Sequence, residues 1–402
     1  MKSLSKIIFY CIVLGITCNL VKLFFAQRDL ESILAEAVFP WYYKVDFIGD
    51  VLISFASLGS FLLYNKYFPK FISVCYVLMI FLVIIASAAD LSTTLKVPSF
   101  FYSVKGIGTF INIGILFFTA DTLNFPKILK LFYGASIVII LGGFFNLGKV
   151  GLGAGRKEFL LAIRDYSVFL IWVFPYFFLQ DEPDKKKNIL TLAIFLVIFI
   201  FILSSGSRSY LLIYGLYIIT KFKSQLQTKM GIVTILGLVI FAVAGYFVLI
   251  NSSLSGTFDN ATTNLTERGT EDSRSSQIIG FLSQYDTDYL IQGVGPLKKW
   301  YWNGIGMYSF LDNQILLIAW WAGLPTILTY IYFLIKSLTL KSEILLFEDI
   351  KGLKMTIWLW IAACLGLAIY IAVSSEPYYY FLSLLMGMNA CQYSKLLEFE
   401  NE

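Results

Sequence analysis

Residues 71–89 read FISVCYVLMIFLVIIASAA, nineteen residues without a charge. At about 1.5 Å of rise per residue, a helix of that length covers about 28 Å, close to the hydrocarbon thickness of a bilayer. Comparable apolar runs lie at 7–25, 46–64, 99–119, 131–147, 165–179, 189–204, 209–220, 231–250, 309–335, 355–373 and 377–391, giving twelve. The run at 209–220 is short, and that at 99–119 carries Lys105. The whole chain is 58% hydrophobic and 14% charged, which leaves no stretch composed like an ordinary soluble domain. Almost nothing alternates with the two-residue period of a strand. The expected architecture is an all-α polytopic membrane protein of about twelve transmembrane helices, a single integral membrane domain over 1–402.

Lysine placement orients it. With a cytoplasmic Met1, the inner segments hold 17 of the 25 lysines, and Lys22 and Lys105 fall inside spans. Both termini are then cytoplasmic, as the excess of cations in short inner loops requires. All six arginines (Arg28, Arg156, Arg164, Arg208, Arg268 and Arg274) fall in outer segments. Arginine's planar fork grips phosphate or carboxylate oxygens two at a time, which lysine's point charge does not. Arginine reserved for the outer face points to an anionic substrate there. The N-terminus has a charged start and a long apolar run with no small-residue cleavage site, so an uncleaved first span is expected. The five cysteines lie within spans and form no disulfide framework. Dispersed basic residues argue against nucleic-acid binding.

Three outer segments exceed simple connections: 26–45, 148–164 and 251–308. The second is glycine-rich, then basic at Arg156, Lys157 and Arg164. The third opens Ser/Thr/Asn-rich, with Asn251, Asn260 and Asn264 each starting an N-x-S/T triplet. It continues with an amphipathic piece around Ile278, Ile279, Phe281 and Leu282, breaks at Gly293, Gly295 and Pro296, and ends in Trp300, Tyr301 and Trp302. Those rings either stack on sugars or anchor the loop at the interface. On the inner side, 336–354 reads as a helix lying in the headgroup plane.

Three short pieces carry candidate chemistry. Ser204-Ser205-Gly206-Ser207-Arg208-Ser209 is a small-residue turn at the outer surface, where Arg208 either turns into the bundle or snorkels to lipid phosphates. Arg274 opens the amphipathic piece, near a helix N-terminus that would add backbone donors; the alternative is a surface pair with Glu271 or Asp272. Asp312-Asn313-Gln314 begins the tenth span, where Asp312 serves a substrate, caps a helix, or does both.

In this order, Gly206-Ser207-Arg208-Ser209, Arg274, Gly293-Val294-Gly295-Pro296 and Asp312-Asn313 leading to Gly323 resemble the O-antigen polymerase and ligase superfamily of bacterial envelopes. The match covers about a third of the chain. The resemblance implies a GT-C-like bundle with one large extracytoplasmic loop in the bacterial cytoplasmic membrane. It implies a glycosyltransferase that uses an undecaprenyl diphosphate-linked oligosaccharide as donor and acceptor, with a chain-length regulator as partner. Family ligases carry an essential histidine near the position of Asp312, and this chain has no histidine. That departure favours the Wzy-type polymerase over the ligase. Diphosphate binding falls to Arg208, Arg274, Arg164 and Arg156, general base work to Asp312 or Glu376, and sugar contact to Trp300, Tyr301 and Asn313. No cofactor is expected, since the diphosphate linkage supplies the energy and no Walker-type loop is present. No metal is expected either. Asp286-Thr287-Asp288 and the pair Asp46 and Asp50 are weak motifs by themselves. A polysaccharide flippase or transporter is the rival reading; it would show acids or broken helices near mid-membrane.

Overall fold

A computed structural model describes residues 2–28, 40–88, 106–150, 156–179, 185–205, 208–222, 273–285, 287–296, 298–302, 306–308, 311, 313–340, 358 and 376–392. Those residues are mostly helical. Among them, four helices are long and apolar enough to cross a membrane: Ser3–Ala26, Trp41–Tyr67, Lys70–Ser87 and Phe125–Asn146. They correspond to the expected runs at 7–25, 46–64, 71–89 and 131–147. Expected spans at 231–250 and 355–373, and most of the in-plane segment 336–354, lie outside the described residues apart from Trp358.

The chain divides into two compact units. The first contains 1–22, 39–131 and 272–402. Its elements are most of α1 (Lys2–Arg28), α2 (Trp41–Tyr64), α3 (Lys70–Ser87), α4 (Ile107–Asn112) and the start of α5 (Phe125–Val150). Glycines let α1 and α2 approach closely: a Cβ on Gly49 would sit 2.8 Å from the Gly15 carbonyl oxygen, and one on Gly15 2.7 Å from Ile53. Such small-residue contacts are how apolar helices pack where lipid removes the hydrophobic drive.

The run expected as a span over 99–119 is different in the structure. Residues 99–105 are outside the described set, α4 begins at Ile107, and the chain tightens into a 3-10 helix over Ile113–Ala120. Every residue of that 3-10 stretch is buried. It lies against α2 and against α13 (Pro377–Ala390), whose residues are also all buried. Gly114 and Gly387 make this fit possible, since a Cβ on Gly387 would collide with the Leu116 carbonyl. Close backbone packing, and not lipid-spanning length, sets the geometry here.

A second correction concerns 309–335, read above as one continuous span. The structure has α11 (Gln314–Ala322) and α12 (Leu324–Thr339) separated by Gly323 at φ 86°. Pro325, in the first turn of α12, lacks the N–H a continuous helix would use. A short hairpin follows in the described residues of 273–308: β1 (Trp300–Trp302) pairs antiparallel with β2 (Gly306–Tyr308), with Trp300 opposite Tyr308. This small hairpin follows α9 (Ser273–Leu282) and α10 (Thr287–Gln292).

The second unit contains 23–38 and 132–271. It is built on α6 (Arg156–Leu179), α7 (Lys185–Ser205) and α8 (Arg208–Phe222). The rings of Phe178, Phe195 and Tyr214 stack in sequence with centroids 3.7 and 4.0 Å apart, one from each helix. The Tyr214 hydroxyl donates to the Phe195 carbonyl at 2.9 Å, which satisfies it inside the stack.

Candidate functional site

In the second unit Lys221 Nζ donates to the Leu179 carbonyl at 3.4 Å, so the C-terminal ends of α6 and α8 lie together. The Phe178–Phe195–Tyr214 stack joins the same end of α6 to the middle of α8. With about 1.5 Å per residue, Arg208 is about 9 Å along α8 from Tyr214, and Arg164 about 21 Å along α6 from Phe178. Arg164 and Arg208 thus lie at different distances from the stack, and Arg156 lies two turns beyond Arg164. The side chains of Arg156, Arg164, Arg208 and Arg274 are outside the described residues, as is Asp312.

In the first unit the motif pieces that were separate in sequence close on one another. The N–H groups of Val294 and Gly295 donate to the carbonyls of Trp320 at 2.8 Å and Trp321 at 3.1 Å. Carbonyls at a helix C-terminus have no partner within their own helix, so this segment supplies the last turn of α11 with donors and permits the break at Gly323. Gly293 has φ 79°, and a Cβ on it would lie 2.7 Å from the Gly323 nitrogen. Both glycines are thus required by the same contact. Gly293→Ala is expected to cost about 1–3 kcal/mol from backbone conformation alone, with more from the clash. Its thermal unfolding midpoint in detergent should fall well below wild type; an unchanged midpoint would mean that this closure is not held in solution.

Phe281 of α9 extends the assembly. It meets Trp300 edge-on at 5.6 Å and Trp320 at 5.4 Å, and Tyr285 stacks on it at 5.1 Å. Gln284 clips the hairpin, donating to the Tyr301 carbonyl at 2.7 Å and accepting from the Tyr301 N–H at 3.0 Å. Burial holds the Tyr285 phenol above its ordinary range, so it stays a donor, here to the Lys299 carbonyl at 2.9 Å. The helix that begins with Ser273 and Arg274 is therefore tied to the Gly293–Pro296 segment and to α11.

Trp300 is only 1% exposed, so it is a core residue of this assembly and has no face for a sugar ring. That corrects its expected role. Tyr301, 53% exposed on the opposite side of the strand, retains the open ring. Asn313 caps α11, its Oδ1 accepting from the Leu316 N–H at 3.1 Å. The cap considered above for Asp312 thus belongs to its neighbour.

Glu376, the other expected base, has the richest surroundings. Its Oε1 accepts from Lys22 Nζ at 2.7 Å, and the same ammonium lies 3.3 Å from Asp46 Oδ2. Asn19 Nδ2 donates to Asp46 Oδ1 at 2.7 Å and to Asp50 Oδ1 at 3.0 Å. Tyr380, one turn after Glu376, donates its hydroxyl to Asp50 Oδ1 at 2.9 Å, and Asn112 reaches that hydroxyl at 3.4 Å. The network joins the end of α1, the start of α2, α4 and the start of α13. Sequence reading picked out Glu376, Asp46 and Asp50 separately and missed Asn19, Tyr380 and the lysine that unites them. Lys22 alone was a signal, because an ionisable residue inside an apolar span has to find partners.

Neither a family model, nor a curated protein, nor a solved structure matches this chain.

Proposed function

We propose that the chain is a membrane glycosyltransferase of the Wzy polymerase type. On this reading it joins polyprenyl diphosphate-linked oligosaccharide repeat units on the outer face of the bacterial cytoplasmic membrane, and both its termini are cytoplasmic. The observation that carries the reading is the closure of Gly293-Val294-Gly295-Pro296 onto Trp320 and Trp321. It gives a physical reason for pieces of the motif to occur together and in that order.

The reaction follows from charge. A hydroxyl of one lipid-linked unit attacks the anomeric carbon of another, the carbon–oxygen bond to the diphosphate breaks, and polyprenyl diphosphate leaves. The hydroxyl proton passes to a carboxylate, Asp312 or Glu376. Negative charge grows on the departing diphosphate oxygen, and guanidinium groups placed there beforehand lower the barrier. Arg208 and Arg274 take that role, with Arg164 and Arg156 as further candidates. Tyr301 is the exposed ring for a sugar face, with Asn313 beside the start of α11. The reaction needs no cofactor. A chain-length regulator is the expected protein partner.

A deletion strain of the native bacterium tests this. Surface glycan run on a gel should lose its ladder above one repeat unit. Loss of every glycan band except the bare acceptor would indicate a ligase or flippase instead.

A transporter is the second reading, favoured by the buried carboxylates at Asp46 and Asp50 and by the helix break at Gly323. Transport of lipid-linked units across proteoliposomes, without any new glycosidic bond, would decide for it.

A further inference from the structure

The network that holds Glu376 continues inward to Asp50, whose own charge and hydrogen-bond arrangement the proposed glycan transfer does not use. Its carboxylates are Asp46, Asp50 and Glu376, and Lys22 is the ammonium among them. Lys22 is engaged by Asp46 and Glu376. Asp50 is 1% exposed and receives only neutral donors, Asn19 and Tyr380, both on Oδ1. Its Oδ2 is a buried acceptor with no donor among the described residues. Asn19 is fully buried, and its Oδ1 is likewise without a donor among them. The Asn19 amide is fixed by its nitrogen to both carboxylates, so its oxygen, on the same carbon, is held beside them.

A carboxylate in apolar surroundings costs several kcal/mol unless something positive neutralises it. Water would supply hydrogens but no charge. The groups that face Asp50 are Asp46 on its own helix, Asn19 and Lys22 from α1, and Tyr380 from α13. Behind them, Cys18 faces Asp46, and Asn112 faces Tyr380. None supplies a second positive charge. Among the described residues no group of three or more acidic, His or Cys side chains is arranged to hold a metal ion, which is a poor setting for a divalent cation needing many oxygens.

We propose that Asp50 Oδ2 and Asn19 Oδ1 together bind one monovalent cation, a proton or an alkali-metal ion. As a proton, it sits on Asp50 Oδ2 and is donated to Asn19 Oδ1. With the Asn19 Nδ2 bond to Asp50 Oδ1, that closes a cyclic acid–amide pair. As an alkali-metal ion, it takes the same two oxygens as protein ligands, with water completing its shell. Both supply the one positive charge Asp50 lacks, and both exchange at the helix ends where Lys22 and Glu376 are partly exposed. The site does not depend on the glycosyltransferase reading.

The test uses full-length protein in detergent micelles, with thermal unfolding followed by tryptophan fluorescence. Choline chloride is exchanged for NaCl or LiCl at constant ionic strength, and pH is varied separately from mildly acidic to mildly alkaline. A ligand bound only by the folded state raises the midpoint with its concentration. A bound proton makes the wild-type midpoint rise as pH falls, with no effect of sodium or lithium. A bound alkali-metal ion makes it rise with that ion at fixed pH. Asp50→Asn, which is neutral and nearly the same shape, should flatten whichever response is seen. Asn19→Leu, a second variant should Asp50→Asn fail to accumulate, should weaken it. A wild-type midpoint indifferent to all three ions, or a variant that keeps the wild-type response, would overturn the proposal.

Discussion

Arg208→Ala and Arg274→Ala are each expected to abolish glycan longer than one repeat unit while the protein accumulates normally. Removing one preplaced donor from a developing negative charge typically costs about 10²–10³ in rate, enough to erase a ladder that needs many successive transfers. Arg208 begins α8 and Arg274 lies in the first turn of α9. Lysine at either position should rescue little, because a point charge does not reproduce two parallel N–H bonds to one phosphate. Quantifying glycan length by gel against immunoblotted protein checks all four variants. Normal ladders from the lysine variants would make bidentate grip the wrong explanation.

Lys22→Met is expected to have the largest effect on stability. It keeps the side-chain length but leaves Asp46 and Glu376 facing each other beside Asp50 without their shared cation. Breaking a buried ion pair from one side typically costs about 3–5 kcal/mol, because the remaining charge is stranded. Lys22 and Glu376 retain 19% and 25% side-chain exposure, so solvent relieves part of that. Asp46→Asn should restore part of the loss in the double variant, since it removes one stranded charge and keeps an acceptor. Unfolding midpoints in detergent give the comparison. Wild-type behaviour of Lys22→Met would show that these charges are not held together.

How far the sequence could be read is visible at these same residues. The uncharged run at 71–89 becomes α3, and 46–64 becomes α2, because length and apolarity are local properties that a bilayer selects for directly. The interruption at Gly323 was also local: a glycine followed two residues later by proline inside an apolar run is a break signal that hydropathy averages away. The hairpin had its signal too, in Asn303-Gly304 between aromatic runs. Trp300 is different. Whether a tryptophan beside a glycine turn faces a ligand or a core depends on what Phe281 and Trp320 do, and no local pattern encodes that. Lys22 and Glu376 are 354 positions apart, so their pairing arises only from the fold.

The most direct test of the central claim reconstitutes purified protein in liposomes with a labelled polyprenyl diphosphate-linked repeat unit. Products are then separated by length, and released polyprenyl diphosphate is counted. Polymerisation predicts dimers and longer chains, with one polyprenyl diphosphate freed for each new glycosidic bond and none formed by Arg208→Ala. Labelled lipid that crosses the bilayer with its single repeat unit intact, and no lengthened product, would contradict it.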